Sequence, residues 1–506
     1  MVVCRTEFFG KHAVNVFETQ NDSQNFSQSI ASMKNLQGDN QSFYVCNLGS
    51  VINSLQQWFT MLPRISPFYS VRCNSDAVLL RLLAAHPNVG LHCITREDLD
   101  TATEIIPSGR ILYANPCWTR GSLRNAAASQ VGLITIETMG DFDRVLSTFP
   151  QATMLLNVGM STNQEDPATE LGCTFEDACD ILQKAAEVEA NICGISFNIG
   201  SGCRDPTLYS SAIQTCSELF KVAKNYGLQM NVVNVGGGFS NASFDKYNDF
   251  ASFVEICVEI NAALDYYFPL ENFSDLRVIA QPGRFFAGDA FQLSTCIIGK
   301  QAVDLADVTH DDFDLGSQAY IYQINEGYYG AFGCQNVANC DPKCIPLFEN
   351  EADYSSSQQF YGNVIGPTFD EYDIAQSMCH LRQMSIGDWL AWPKMGAYSR
   401  NNRASLGDVD IPAPAVYYYC NTESYELCQR LLSLESAARP KSIASTQLTT
   451  RRSSFALSLL GGSDAEDECY GSLSDFGDAF SFTDESNENA EEEWMARFQF
   501  QGPIFD

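Results

Sequence analysis

The sequence predicts a (β/α)8 barrel followed by an all-β domain and a disordered acidic tail. Three observations carry this. Eight short β-rich runs alternate with helix-like segments through the middle of the chain, the helices drop out after Gln281, and the composition changes from about Ser433. Strands alternating with helices argue for βα units and a parallel sheet, and eight such units suit a closed barrel. On pattern alone an open doubly wound sheet stays open as the alternative.

The eight runs are Pro67–Arg72, Val89–Cys93, Arg110–Asn115, Gly132–Ile136, Thr153–Val158, Ile192–Asn198, Met230–Val235 and Arg277–Gln281. Helix-like segments between them include Ala77–Ala85, Gly121–Ser129, Phe175–Ala190 and Pro206–Tyr226. Beyond Gln281 the runs are Phe285–Ile298, Ala319–Ile324, Trp389–Trp392 and Ala415–Cys420, joined by turns and loops. The expected organisation is residues 1–45 adding strands to the β-domain, 46–283 forming the barrel, 284–430 the β-domain and 431–506 the tail. That tail is acidic, dotted with aromatics and without periodicity, which is the composition of disorder. Its R-R-S-S-F at 451–455 reads either as a phosphorylation site or as plain linker.

Of 506 residues, 62 are acidic and 30 basic, a net charge of −32. Such a chain repels phosphate backbones and anionic lipid, so nucleic-acid and membrane-surface binding are poor expectations. The first twenty residues lack the apolar core of a secretory signal, and no stretch is apolar enough to span a bilayer. The 19 cysteines lie mostly in apolar segments and read as reduced thiols of a cytoplasmic protein, with the nucleus as a second compartment. Cys334, Cys340 and Cys344 lack a paired C-x-x-C, so they read as loop thiols and no metal site is expected.

Barrel enzymes place chemistry at the C-terminal ends of their strands. Here those ends carry Arg72, His92, Asn115, Glu137, Asn157, Asn198, the Gly236-Gly237-Gly238 turn and Gln281. The set is rich in amides and has no lysine, and its one histidine, His92, reads as a packed or solvated residue. G-S-G after Asn198, G-G-G after Val235 and P-G-R at 282–284 are each explained by tight turns. Together, on successive strands, they point to a phosphate-bearing ligand met by bare N–H groups and the Arg284 guanidinium.

Ordered motifs then carry a resemblance. P-F-Y-S-V-R-C-N at 67–74, Y-A-N-P-C at 113–117, G-I-S-F-N-I-G-S-G-C at 194–203, G-G-G-F at 236–239, P-G-R at 282–284, G-P-T-F-D at 366–370, G-D-W at 387–389 and M-G-A-Y at 395–398 run in order over about residues 40–420. The chain resembles the eukaryotic ornithine decarboxylase and antizyme-inhibitor family, whose fold is a pyridoxal-phosphate-binding (β/α)8 barrel plus a β-domain. The resemblance implies a catalytically degenerate member. Arg72 stands where the family's lysine joins the cofactor, and a guanidinium, always protonated, is no usable amine. No lysine lies between Lys34 and Lys184. Lys184, Lys221, Lys224 and Lys246 fall in helical segments, which leaves Lys394 as the one stand-in.

By the same resemblance Gln281 replaces the glutamate at the pyridine nitrogen, Asn198 the ring-stacking histidine, Asn157 an arginine, and Phe369 the catalytic cysteine. Val337-Ala338 replaces a substrate-gripping Tyr-Asp pair, while Asp370 of the substrate site remains. The phosphate cradle is kept as Ser201, Gly236, Gly237, Gly238, Pro282, Gly283, Arg284 and Tyr398, and no cofactor beyond a weakly held, non-covalent pyridoxal phosphate is expected. The implied function is binding antizyme, the small protein that sends ornithine decarboxylase for degradation, with Arg124 and Asp141 as contacts, so that polyamine synthesis and uptake rise. The counterparts of the family's intersubunit salt bridge are Glu170 and Asp373, two like charges, which implies a monomer or weak dimer. An active amino-acid decarboxylase, or a regulatory subunit of a decarboxylase paralogue, are the alternatives.

Overall fold

The computed structural model describes residues 5–18, 22–160, 172–240, 250–338, 340–348, 358–368, 370–400 and 412–438. Of the segment expected as tail, residues 431–438 continue the helix Thr422–Ala438, and the rest lies outside the described residues.

Three strands come first: β1 (Arg5–Phe9), β2 (His12–Phe17) and β3 (Phe43–Asn47). The barrel follows: β4 (Ile65–Ser70), β5 (Gly90–Cys93), β6 (Ile111–Tyr113), β7 (Leu133–Ile136), β8 (Met154–Val158), β9 (Ile192–Phe197), β10 (Val232–Asn234) and β11 (Arg277–Ala280). They pair in parallel and close in the order β10-β11-β4-β5-β6-β7-β8-β9. These segments read as nearly continuous apolar runs because both faces are covered, by helices outside and by side chains within. Phe68, Leu112, Leu133, Leu155, Cys193, Val232 and Ile279 form one buried cluster drawn from seven of the strands. The barrel is thus filled rather than hollow.

Each crossover helix is started by its own sequence. Thr95, Thr119 and Thr138 close capping boxes with Asp98, Ser122 and Asp141, directly after β5, β6 and β7. Ser252 does the same with Glu255. Each cap satisfies backbone N–H groups the helix leaves open and contributes about 1 kcal/mol.

The remaining strands are β12 (Phe291–Asp304), β13 (Gln318–Ile324), β14 (Ile345–Pro346), β15 (Gln359–Ile365), β16 (Ile374–Arg382), β17 (Trp389–Trp392) and β18 (Ala415–Asn421). With β1 to β3 they make one sheet of order β1-β2-β18-β3-β12-β13-β15-β16, and β17 pairs with β12 and β14. The N-terminal strands therefore join the C-terminal sheet, and the helix Ser23–Gln37 packs Phe26 and Ile30 into its core with Phe43, Trp389 and Tyr419.

One expected strand starts late. Phe285 and Phe286 lie in a helical turn, Arg284–Ala287, and the strand begins only at Phe291. Both rings turn inward onto Trp58, with centroids 5.5 and 5.7 Å away, which an extended backbone with its alternating faces would not allow.

Asp76 ties barrel to sheet. Its buried carboxylate caps the helix Ala77–Ala84 through Val78 and Leu79 N–H, pairs with Arg400 at 2.5 Å, and accepts from the Tyr418 hydroxyl of β18 at 2.8 Å. Asp76→Ala should cost about 3 kcal/mol of unfolding free energy, since it strands a guanidinium and a phenol and removes a cap. Urea denaturation of both chains checks this; a difference under about 1 kcal/mol would contradict it.

Candidate functional site

The candidate site is an arc of four turns at the C-terminal ends of neighbouring strands, β9, β10, β11 and β4. After β9, the Asn198 side chain accepts from the Gly200 N–H at 3.2 Å and shapes the turn that exposes Ser201. After β10 comes the glycine turn. Gly236 has φ +69°, and a Cβ there would sit 2.2 Å from the Phe197 carbonyl oxygen, so only glycine fits. Its own carbonyl accepts from the Gln281 N–H at 2.6 Å, and the Tyr209 hydroxyl donates to the Gly237 carbonyl at 2.6 Å.

After β11, Arg284 is buried, 3% exposed. It donates to the Ser201 hydroxyl from Nη2 at 2.7 Å and Nε at 3.3 Å, and its guanidinium carbon lies 5.6 Å from the Phe250 ring centre and 5.9 Å from that of Tyr398. After β4, the chain makes a single 3-10 turn, Val71–Cys73, with Arg72 exposed at its middle.

The β11 and β4 turns are pressed together. The Ser70 N–H donates to the Pro282 carbonyl at 3.0 Å, and a Cβ on Gly283 would meet the Cys73 Cβ at 2.9 Å. The Tyr398 N–H then donates to the Cys73 carbonyl at 2.8 Å. Burial pushes the Tyr398 phenol up to about 12, while the Arg284 and Arg72 charges and a hydrogen bond with Ser201 act against that rise. The residues expected to cradle a phosphate are thus brought together, with Arg72 next in the arc.

The strands that complete the ring between β4 and β9 carry further polar groups. Glu137, following β7, accepts from the Asn157 side chain of β8 at 2.9 Å, and burial raises its carboxyl above the ordinary value. His92, at the end of β5, is buried against the Ser70 hydroxyl at 3.3 Å, and burial pushes its imidazole down to about 4.

Several expected residues fall elsewhere. Lys184 pairs with Asp143 on the outside of the barrel, and Lys221 and Lys224 ride the helix Thr207–Asn225. Lys394 lies between β17 and Tyr398, with φ +62°. Phe369, Lys246 and Glu170 lie outside the described residues. Val337 is exposed, 44%, on a short helix. Asp370 accepts from the Tyr329 hydroxyl at 3.0 Å and the Tyr372 N–H at 2.9 Å, a pairing with Tyr329 that no sequence motif signals. Asp373 is buried and holds the Tyr328 and Thr368 N–H groups and the Thr368 hydroxyl of its own chain, so it is no surface charge awaiting a second subunit.

Of the two expected antizyme contacts, Arg124 is exposed on the helix Arg120–Ala128. Asp141 is not available: it is 7% exposed, closes the capping box of the helix Met139–Thr148, and pairs with Arg144 at 2.6 Å. The pattern T-x-x-D after a strand signals this capping role in the sequence itself.

Comparison with known proteins decides the family. Residues 48–288 match the model of the pyridoxal-dependent decarboxylase pyridoxal binding domain. The chain is 32% identical over 433 residues to an ornithine decarboxylase of Caenorhabditis elegans, covering 84% of this chain and 98% of that protein. The chain belongs to the ornithine decarboxylase family. It is also 31% identical over 365 residues to antizyme inhibitor 2 of Xenopus laevis, covering 71% of this chain and 77% of that one. Among solved structures, the Paramecium bursaria Chlorella virus arginine decarboxylase bound to agmatine superposes with a TM-score of 0.68 at 26% identity, over 77% of this chain and 99% of that chain.

This membership corrects one expectation. The absence of a cofactor does not follow from Arg72, because the matched family is defined by its pyridoxal dependence and the match spans the whole barrel. The donor set agrees with a phosphate ester: a buried guanidinium on a serine hydroxyl, beside a turn of three glycines. Among the described residues no helix is long and apolar enough to cross a membrane.

His92 supplies a pH test. Its folded pKa, about 4, lies below the unfolded value near 6.5, so the unfolded chain binds the extra proton between the two. The stability contributed by keeping His92 neutral is full above about pH 6.5 and is lost as the pH falls toward 4. Relative to His92→Gln, the wild-type chain should lose about 3 kcal/mol between pH 7 and pH 4. Parallel stability curves for the two chains would contradict the assignment.

Proposed function

We propose that the chain is a regulatory, antizyme-inhibitor-like member of its family, which binds antizyme rather than decarboxylating ornithine. The observation that carries the reading is Arg72, set in the turn after β4 where the family's covalent lysine belongs. Its match to antizyme inhibitor 2 is consistent with the same reading.

When bound, pyridoxal phosphate supplies an electron sink for bonds broken at an amino acid's α-carbon. In this chain Arg284, Ser201 and the turn Gly236–Gly238 hold the phosphate, with Pro282 and Gly283 shaping the Arg284 turn and Tyr398 closing it. Arg72 keeps its proton at neutral pH, so it orients a ligand by donating hydrogen bonds and cannot displace the ligand's oxygen as an amine would. Gln281 offers a neutral amide where a carboxylate would fix a proton on the ring nitrogen. Degenerate positions and an intact cradle together suit a ligand that is held and not turned over.

Antizyme would meet the exposed face of the helix Arg120–Ala128, with Arg124 supplying charge and Asp141 excluded by its burial. Asp373, engaged inside its own chain, supports a monomer or weak dimer. The second reading, a working decarboxylase, is favoured by the names of most relatives, which are ornithine decarboxylases. A regulatory subunit of such an enzyme is the third.

Purified chain on a surface should capture antizyme at micromolar concentration, and Arg124→Glu should weaken capture by about tenfold, the worth of one charge-assisted contact. The same sample, given ornithine and pyridoxal phosphate, should release no carbon dioxide. Release of carbon dioxide with no antizyme capture would overturn the reading in favour of the decarboxylase.

A further inference from the structure

Arg72 is more than a missing lysine. The barrel order places the turns after β9, β10, β11 and β4 side by side, while β7 stands four strands from β11 in the closed ring. Ser201, the glycine turn, Arg284 and Arg72 therefore occupy one continuous arc. The half-buried Glu137 follows β7 and accepts from Asn157 of β8.

The approach of the two turns that carry these arginines is fixed by packing. Gly283 has no room for a Cβ because the Cys73 side chain fills it, and Ser70 and Pro282 share a hydrogen bond. The residue between Ser70 and Cys73 that is exposed is Arg72, and the residue after Gly283 is the buried Arg284. Tyr398 touches both turns. Its backbone is anchored on Cys73, its ring is 5.9 Å from the Arg284 guanidinium, and both arginines bear on its phenol. A planar ring held by a phosphate at Arg284 and Ser201 would present its next substituent to Arg72.

A guanidinium offers paired N–H donors in one plane, matched to a carboxylate or phosphate. It gives less to a carbonyl, which carries no charge. We propose that this pocket selects a phosphate monoester bearing a second oxyanion, a doubly anionic ring compound, over pyridoxal phosphate with its neutral aldehyde. This rests on the phosphate-cradle assignment under the proposed function and names the ligand class of that same site.

The test is calorimetric titration of the full chain with three probes: pyridoxal 5-phosphate, the 5-phosphate of 4-pyridoxic acid, which carries a carboxylate in place of the aldehyde, and inorganic phosphate. The carboxylate compound should bind about tenfold more tightly than pyridoxal phosphate, as expected for one added charge-assisted contact. Arg72→Gln and Arg72→Met should bind the two ring compounds equally, and Arg284→Met should weaken both together. Equal affinities in the wild-type chain, or a preference that survives both Arg72 variants, would overturn this inference and leave the cradle standing. Binding of neither ring compound would overturn the cradle as well. Because the wild-type comparison decides the preference by itself, a variant that fails to fold does not remove the test.

Discussion

The close approach of two turns, one after β4 and one after β11, is the constraint on which the rest of the site depends. Gly283 is glycine because Cys73 occupies the place of its side chain. The contact joins the turn that carries Arg72 to the turn that carries Arg284 and leaves the Cys73 carbonyl to receive the Tyr398 N–H. Three residues further on, Asp76 starts the next helix and reaches Arg400 and Tyr418. A stretch of seven residues, 70–76, thus joins the barrel wall, the phosphate cradle and the sheet domain. A shift in this turn would be felt in all three, because packed interiors transmit displacement instead of absorbing it.

Electrostatics divides the barrel mouth in two. One arc holds a buried and an exposed guanidinium with a serine hydroxyl and glycine N–H groups. Beyond it, His92 on the neighbouring strand β5 is buried and neutral, and Glu137 after β7 has a carboxyl group whose burial favours protonation. In the low dielectric of a barrel mouth, this separation sets which end of a polar ligand points where. Nothing in it requires an amine at position 72. Under the proposed function, the site keeps the groups that suit a phosphate while position 72 offers a guanidinium in place of an amine, a combination suited to binding more than to turnover.

Much of this architecture was legible in the residues. The barrel strands stand out because parallel strands buried on both faces must be apolar throughout, and the observed ranges lie within or near the expected runs. Strands β15 and β16, at one end of the sheet, were invisible: Q-F-Y-G-N-V-I mixes polar and apolar residues without a run long enough to read. Phe285 misled for a related reason. A β-prone pair of phenylalanines sits in a helical turn, because Trp58 takes both rings at once. The glycine turns of the candidate site were readable, because such turns are local. The Asp76–Arg400–Tyr418 cluster was not, since Asp76 lies more than three hundred residues from both partners and no short-range pattern marks them. Asp141 shows the reverse: its T-x-x-D signal was local and pointed to a cap, while family analogy pointed to a docking contact that its burial denies.

Under the proposed function, Arg72 leaves the cofactor site without a covalent handle. The most direct measurement is borohydride reduction of the full chain after incubation with pyridoxal phosphate, followed by mass analysis of its peptides. No pyridoxyl group is expected on any lysine at the barrel mouth. A reduced pyridoxyl adduct on Lys394, formed in stoichiometric yield, would contradict it.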